Sequence, residues 1–416
     1  MNVAEQIDVS TLPPLVLEPC PYCGNETPTG TFCGACGAHL SHAAGPRHEH
    51  HRRRARRHHS FAASPHEHVL RLSAVTSLFP HLGERSRAPF RAGLGVVLFA
   101  LVVFSIAQVQ PAVIAVSAVG VPVLFEFYVY EVDPFERGFL VPMALAFLIG
   151  GGLGAGWALI GGPVVARASQ PAISTDFTTS TALAAAVLVP LIGQLLMIVP
   201  VLVLHRTERA HTETLDGFVA GGTAALGFTL AATFTNLSGD ISEGIRGGQP
   251  VLALLTEAGV RGFAFPVLAA LATGTIGAAL WRIGRKPPAP LEGTADQAAV
   301  RTPRAVFVIL AASLLGALLL QVGLGFAGIS DLSDLDLLGV YAGVVAVAIL
   351  GTRAAIHWLL LTDAHHVRIG RPRVCANCHH LVPGMPFCPV CGVAEHATPR
   401  SHRRHLHHHR PATEAK

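Results

Sequence analysis

The stretch Val121–Arg137, VPVLFEFYVYEVDPFER, opens as a membrane helix and closes as an acidic corner. Glu126 sits inside the apolar run, where an ionised carboxylate is costly. On a 3.6-residue repeat, Glu126, Tyr130 and Asp133 fall on one helical face. Pro134 then ends the helix, because it lacks an N–H and its ring clashes with the preceding turn. That face is the first place in the chain to look for chemistry.

The surrounding sequence has the same apolar character. Of 416 residues, 51% are apolar and only 13% are charged, too little charge to cover the surface of a water-soluble protein of this size. From Ala92 to Thr362 long apolar runs alternate with short polar loops. In lipid the backbone polar groups have no water partners, so these runs must be helices. The expected fold is an all-α polytopic membrane protein with about eight transmembrane helices, flanked by two small zinc-ribbon modules. The spans are placed near 92–108, 112–132, 139–165, 182–204, 215–236, 262–282, 304–326 and 338–361. Each is close to the length that crosses about 30 Å of hydrocarbon. The tight turn Gln108–Pro111 makes the first two a helical hairpin. The short apolar segment 250–260, which carries Glu257, reads as re-entrant or surface-lying.

The domain plan has six parts: a flexible N-terminus at 1–18, a zinc ribbon at 19–40, a His/Arg-rich linker and interfacial segment at 41–90, the transmembrane domain at 91–362, a second ribbon at 374–394 and a His/Arg-rich disordered tail at 395–416. The N-terminus lacks the basic start and apolar core of a signal peptide, so it is expected in the cytosol. With eight spans the inner loops then hold Arg137, Arg206, Arg209, Arg282, Arg285, Lys286, Arg301 and Arg304, against Arg167, Arg246 and Arg261 outside. This bias fits the positive-inside rule. An even count also returns the C-terminal module to the cytosol, so both termini are expected there, in the plasma (bacterial inner) membrane.

All eight cysteines lie outside the apolar block. Cys20, Cys23, Cys33 and Cys36 form one set of two CxxC pairs; Cys375, Cys378, Cys388 and Cys391 form another with identical spacing. Four thiolates on two tight turns suit tetrahedral zinc and close its coordination shell, which indicates two structural ions. A module of this size is too small to fold on apolar burial alone, so the metal supplies the folding energy. Gly34, Gly37 and Gly392 allow close turns. Pro21, Tyr22 and Phe32 in the first module, and His379, His380 and Phe387 in the second, suit covering the metal or meeting a protein partner. Aromatic and basic residues do not interleave as nucleic-acid binding would need. The Arg52–Arg57 run is a solvated linker or a magnet for anionic lipid headgroups, and the histidines suit loose metal holding or pH sensing.

Small residues mark helix contacts: Gly150/Gly154 and Gly152/Gly156 in the third span, Gly217/Gly221 in the fifth. Thr229, Thr233 and Asn236 form a polar stripe that reads as interhelix glue or hydroxyl bonding to the helix's own carbonyls. The ionisable residues in or near the membrane are Glu126, Glu131, Asp133, Asp216, Glu257, Arg261, Arg353 and His357. Arg353 and His357 are the natural partners for Glu126 if the first hairpin packs on the last span.

Several of these motifs together resemble the PrsW family of intramembrane proteases. They are Pro122-x-Leu-Phe-x-x-Tyr-x-Tyr-Glu131-Val-Asp133-x-x-Glu136, the Gly-rich third span, TLDGFVAGGTAALGF at 214–228, a span marked by Arg261, Pro266 and Thr273, and the lead-in Ser77–Leu82 with Phe90-Arg91. The resemblance implies a multi-span scaffold that uses membrane-embedded glutamates, a histidine and a metal. It also implies a glutamate about four residues after Gly227-Phe228, where Ala232 stands, and a histidine within 265–273, which has none. The expected function is therefore a non-catalytic PrsW-like scaffold whose ribbons dock or regulate a partner. One alternative is an active intramembrane endopeptidase using Glu126, Glu131 or Asp133 with His357. The other is metal or proton transport or sensing.

Overall fold

The computed structural model describes residues 16–40, 61, 65, 88–132, 140–168, 184–207, 214–242, 251–283, 304–328, 332–364, 367, 369–375 and 377–395. Residues 1–15 of the expected N-terminal segment, most of the His/Arg-rich linker with Ser77–Leu82, Asp133–Glu136 and residues 396–416 of the basic tail lie outside these residues, whereas Leu17 and Glu18 belong to a strand.

Each of the eight apolar runs is helical: α1 (Ala88–Ile106), α2 (Gln110–Val132), α3 (Leu140–Ala168), α4 (Ala184–Thr207), α5 (Thr214–Ser242), α6 (Val251–Arg282), α7 (Arg304–Gly328) and α8 (Asp334–Ala364). Six of them, α3 to α8, are long and apolar enough to cross a membrane, while the first hairpin contributes the shorter apolar stretches Arg91–Ile106 and Ala115–Phe127. Gln108 closes that hairpin in the left-handed region at φ 58°, with its N–H bonded to the Ser105 carbonyl.

From residue 251 on, the segment expected to be re-entrant or surface-lying is continuous helix with the sixth span. Val251–Glu257 runs through a π-helical turn, Ala258–Ala264, directly into Phe265–Arg282. The wider turn falls where Gly262 meets Ser117 of α2, with no room for a Cβ between them. Widening one turn lets the helix pass that contact without breaking, a common use of π-bulges.

Helices α5 and α6 form the centre. In each, 72% of the apolar window is buried, against 17–39% in the other crossing helices. Glycine explains how α5 takes a neighbour on each side. Gly150 and Gly154 of α3 lie on the backbone carbonyls of Ala224 and Phe228, and Gly227 lies on that of Phe147. On the other side Gly217 faces Gly277, and Gly221 faces Thr273, again backbone to backbone. Any side chain there would force the helices apart. Gly152 and Gly156 have nothing within 4 Å of a would-be Cβ. Of the two pairs expected to pack in α3, one does and the other faces open space, because the four-residue spacing recurs on both faces of the helix.

The lipid-type surface is apolar, with Phe99, Leu148, Leu159, Ile160, Leu319 and Val347 exposed. Polar residues are turned inward. Gln321 Nε2 on α7 donates to Gln194 Oε1 on α4 at 3.3 Å, and Gln194 Nε2 donates to Thr273 Oγ1 on α6 at 3.1 Å. Thr229 donates to the Leu226 carbonyl of its own helix, and Gly162 leaves space for the Asn236 amide.

Outside the bundle, β1 (Leu17–Pro19) pairs antiparallel with β2 (Glu26–Pro28), and β3 (Gly370–Val374) with β4 (Leu381–Gly384). These hairpins carry the two cysteine modules, here called the N-ribbon and the C-ribbon.

Candidate metal centres

Each ribbon is two Cys-x2-Cys knuckles facing one another. The local chemistry repeats four times. The amide four residues after the first cysteine of each knuckle bonds back to that cysteine's carbonyl: Gly24 to Cys20, Gly37 to Cys33, His379 to Cys375 and Gly392 to Cys388, at 2.8–3.0 Å. Each of these four residues has positive φ, between 59° and 77°. Glycine adopts that conformation freely, whereas His379 does so against its Cβ.

The folded knuckles bring the sulfurs together. Cys20–Cys36 and Cys23–Cys33 are 3.9 and 3.8 Å apart in the N-ribbon. Cys375–Cys391 and Cys378–Cys388 are each 3.7 Å apart in the C-ribbon. A tetrahedron of sulfurs at about 2.3 Å from zinc has edges of about 3.8 Å, so both clusters already have the size of a four-thiolate site. Within each, the four ligand atoms lie within 4.8 Å of one another. Electrostatics agree. Contacts with Cys20, then Cys23 and Cys36, hold the Cys33 thiol far below its usual range, while contact with Cys20 pushes Cys23 and Cys36 up. In the C-ribbon, burial pushes Cys388 up. The packed thiols thus perturb one another strongly, as expected of groups that a cation would deprotonate together.

The sequence did not reveal what the aromatic residues of the ribbons meet. The partner of each ribbon is the other ribbon. The Phe32 N–H donates to the Pro389 carbonyl at 3.0 Å, and the Phe387 N–H donates to the Gly34 carbonyl at 2.9 Å. In the common spacing of the two modules Phe32 corresponds to Phe387 and Gly34 to Pro389, so the two bonds are reciprocal. The side chains repeat the symmetry: Phe387 packs on Gly37, and Phe32 packs on Gly392. The modules therefore form an internal pseudo-two-fold pair, the intramolecular counterpart of an isologous dimer interface.

The pair is fastened to the bundle. Asn25 Nδ2 donates to the Val367 carbonyl beyond α8. Phe61 donates its N–H to the Cys36 carbonyl, and its ring lies 5.9 Å, edge to face, from both Phe387 and His357 of α8. It is 6% exposed. Nothing in the low-complexity sequence around Phe61 marks it for this role.

The intramembrane candidates are less concentrated. Glu126 Oε1 accepts a hydrogen bond from Thr223 of α5 at 3.0 Å, so the partner it shows is Thr223, not Arg353 or His357. His357 is buried against Phe61 instead. The two catalytic candidates that can be placed, Glu126 and His357, thus have different neighbours. Glu131 lies in the last turn of α2 and its side chain is outside the described set, as is all of Asp133. Ala232 packs against the buried cluster of Met197, Ala225, Phe228 and Ala269, and Leu268 and Leu271 are buried in the core. Glu257 pairs with Arg261 at 3.4 Å on the exposed side of α6. Among the described residues, the groups of three or more candidate ligands are the two cysteine clusters.

Comparison with known families now bears on this geometry. The model of the PrsW family of intramembrane metalloproteases matches residues 141–350, half of the chain. The chain belongs to the PrsW family. No curated protein and no solved structure matches it. The PrsW match spans α3 to most of α8, including Ala232 and 265–273, and begins after the acidic stretch Glu126–Glu136. The ribbons lie outside it at both ends.

Proposed function

We propose that the protein is a non-catalytic PrsW-family scaffold whose paired zinc ribbons form a docking head for a protein partner. The observation that carries this reading is the apolar packing of α5 and α6 at the positions where the family resemblance calls for a carboxylate and a histidine. Ala232 sits in a cluster with Phe228 and Met197, and Leu268, Ala269 and Leu271 are core residues. A metal site for proteolysis needs several convergent ligands. The sulfur geometry of both ribbons supports two structural zinc ions.

In this reading the chain is a multi-pass protein of the plasma membrane with both termini in the cytosol, supported by the Arg/Lys excess of the loops on that side. The Arg52–Arg57 run draws anionic lipid headgroups to the same face. No nucleic-acid partner is expected.

Membership of a metalloprotease family favours the rival reading of an active endopeptidase using Glu126, Glu131 or Asp133 with His357. Metal analysis of the purified chain separates them. The scaffold gives two zinc ions per chain, falling to none when all eight cysteines are changed to serine. A third metal that survives those changes, or cleavage of a membrane substrate that Glu126→Gln or Glu131→Gln stops, overturns the scaffold reading.

A further inference from the structure

We propose that the two ribbons are one bimetallic latch: they assemble only when both hold metal, and the assembled pair clamps Phe61 over His357 at the end of the last membrane helix. The inference rests on reading both cysteine clusters as metal sites and adds a dependence between them and a target in the bundle.

Three observations carry it. First, the surfaces that pair are built from the metal knuckles. The reciprocal bonds use the backbone of Phe32–Gly34 and Phe387–Pro389, which bracket Cys33 and Cys388, and the rings of Phe32 and Phe387 rest on the knuckle glycines Gly392 and Gly37. A ribbon that loses its metal loses the knuckle shape its partner packs on, since so small a module folds only on its metal. Second, Phe61 is held by both ribbons at once, its N–H by Cys36 of the N-ribbon and its ring by Phe387 of the C-ribbon. Neither ribbon alone supplies both contacts. Third, Phe61 adopts φ 63°, a conformation that a bulky aromatic residue keeps only where its surroundings impose it.

The target is also specific. Only 17% of the α8 window is buried, yet Arg353, Ile356, His357 and Leu359 are each 3% exposed or less. Of these, His357 lies against the Phe61 ring, while the bundle itself packs on the same helix, with Thr275 of α6 donating to Thr352. Metal in the ribbons thus controls access to His357, and chelation opens it.

The test uses the full chain in lipid nanodiscs. Metal content, amide exchange of the N-ribbon and modification of His357 by diethyl pyrocarbonate are read together, the last by peptide mass spectrometry. In the unaltered chain His357 is protected and two zinc ions are bound. With Cys388→Ser and Cys391→Ser, zinc is expected to fall toward none rather than to one. The untouched N-ribbon should lose protection at Phe32, and His357 modification should rise several-fold. Phe61→Ala should expose His357 to the same degree with both metals retained, which separates the clamp from ribbon folding. One zinc and a protected N-ribbon in the cysteine variant overturn the mutual dependence. Unchanged His357 protection in Phe61→Ala overturns the clamp. An unaltered chain that binds no metal removes the reading of the clusters as metal sites, and this inference with it.

Discussion

The two ribbons share one spacing and one interface yet differ in how well they are built. In the N-ribbon all four cysteines are buried, at 5% exposure or less; in the C-ribbon Cys388 is buried and the other three are half-buried. The N-ribbon has glycine at both left-handed knuckle positions, Gly24 and Gly37, whereas the C-ribbon has His379 and Gly392. By the burial of its ligands the N-ribbon holds the inner site and the C-ribbon the outer one. Identical ligands therefore sit in unequal environments.

Substitutions at the ligands test this contrast most severely. Cys33→Ser and Cys388→Ser should each lower zinc affinity by more than the roughly 10–100-fold typical of losing a supporting hydrogen bond, as read by competition with a chelating dye. Next comes thiol reactivity. With limiting N-ethylmaleimide, mass spectrometry should find Cys375, Cys378 and Cys391 labelled several-fold faster than Cys20, Cys33 and Cys36. Even labelling would remove the distinction between inner and outer sites.

Protons act on both ribbons in one direction. Burial already pushes the Cys388 thiol up, and metal must displace protons from the sulfurs to bind. Metal held by the ribbons is therefore expected to stay bound at neutral pH and above and to be lost as the pH falls, which a colorimetric metal indicator follows across an acid titration.

The knuckle contrast gives a smaller and signed effect. His379→Gly should stabilise the C-ribbon by about 1–2 kcal/mol, and Gly24→His should destabilise the N-ribbon by a similar amount, since a left-handed residue with a Cβ costs about that much. Thermal melts of the zinc-loaded chain report both. The smallest effect is expected at Arg373, which reaches the Met385 carbonyl and pairs with Glu395 only in the C-ribbon. Both side chains are part-exposed, so Arg373→Ala should cost about 0–1 kcal/mol.

The bundle was legible in the sequence because lipid leaves a chain few options: apolar runs of the right length must be helices, and eight such runs appear as eight helices among the described residues. The metal ligands were legible because CxxC spacing is itself a geometry. Glycine spacing located the α3–α5 and α5–α6 crossings through Gly150, Gly154, Gly217 and Gly221, but could not tell them from Gly152 and Gly156, which repeat the pattern on a face with no neighbour. The pairing of the ribbons depends on contacts between opposite ends of the chain, such as Phe32 with Pro389, and no local rule reports those. The repeated spacing was nevertheless a signal, since two copies of one surface can satisfy each other. Phe61 carried no signal, as its role comes entirely from what surrounds it. Glu126 stood out for its cost in lipid, but its hydrogen bond to Thr223 depends on how α2 settles against α5.

The ribbon pair also sets an order of events during synthesis. The N-ribbon emerges from the ribosome before α1, and the surface it needs is made only after α8. Until then the Phe32 and Gly37 face has nothing to pack on. A chain halted anywhere in between carries an uncovered apolar knuckle, which only the synthesis of the C-ribbon covers.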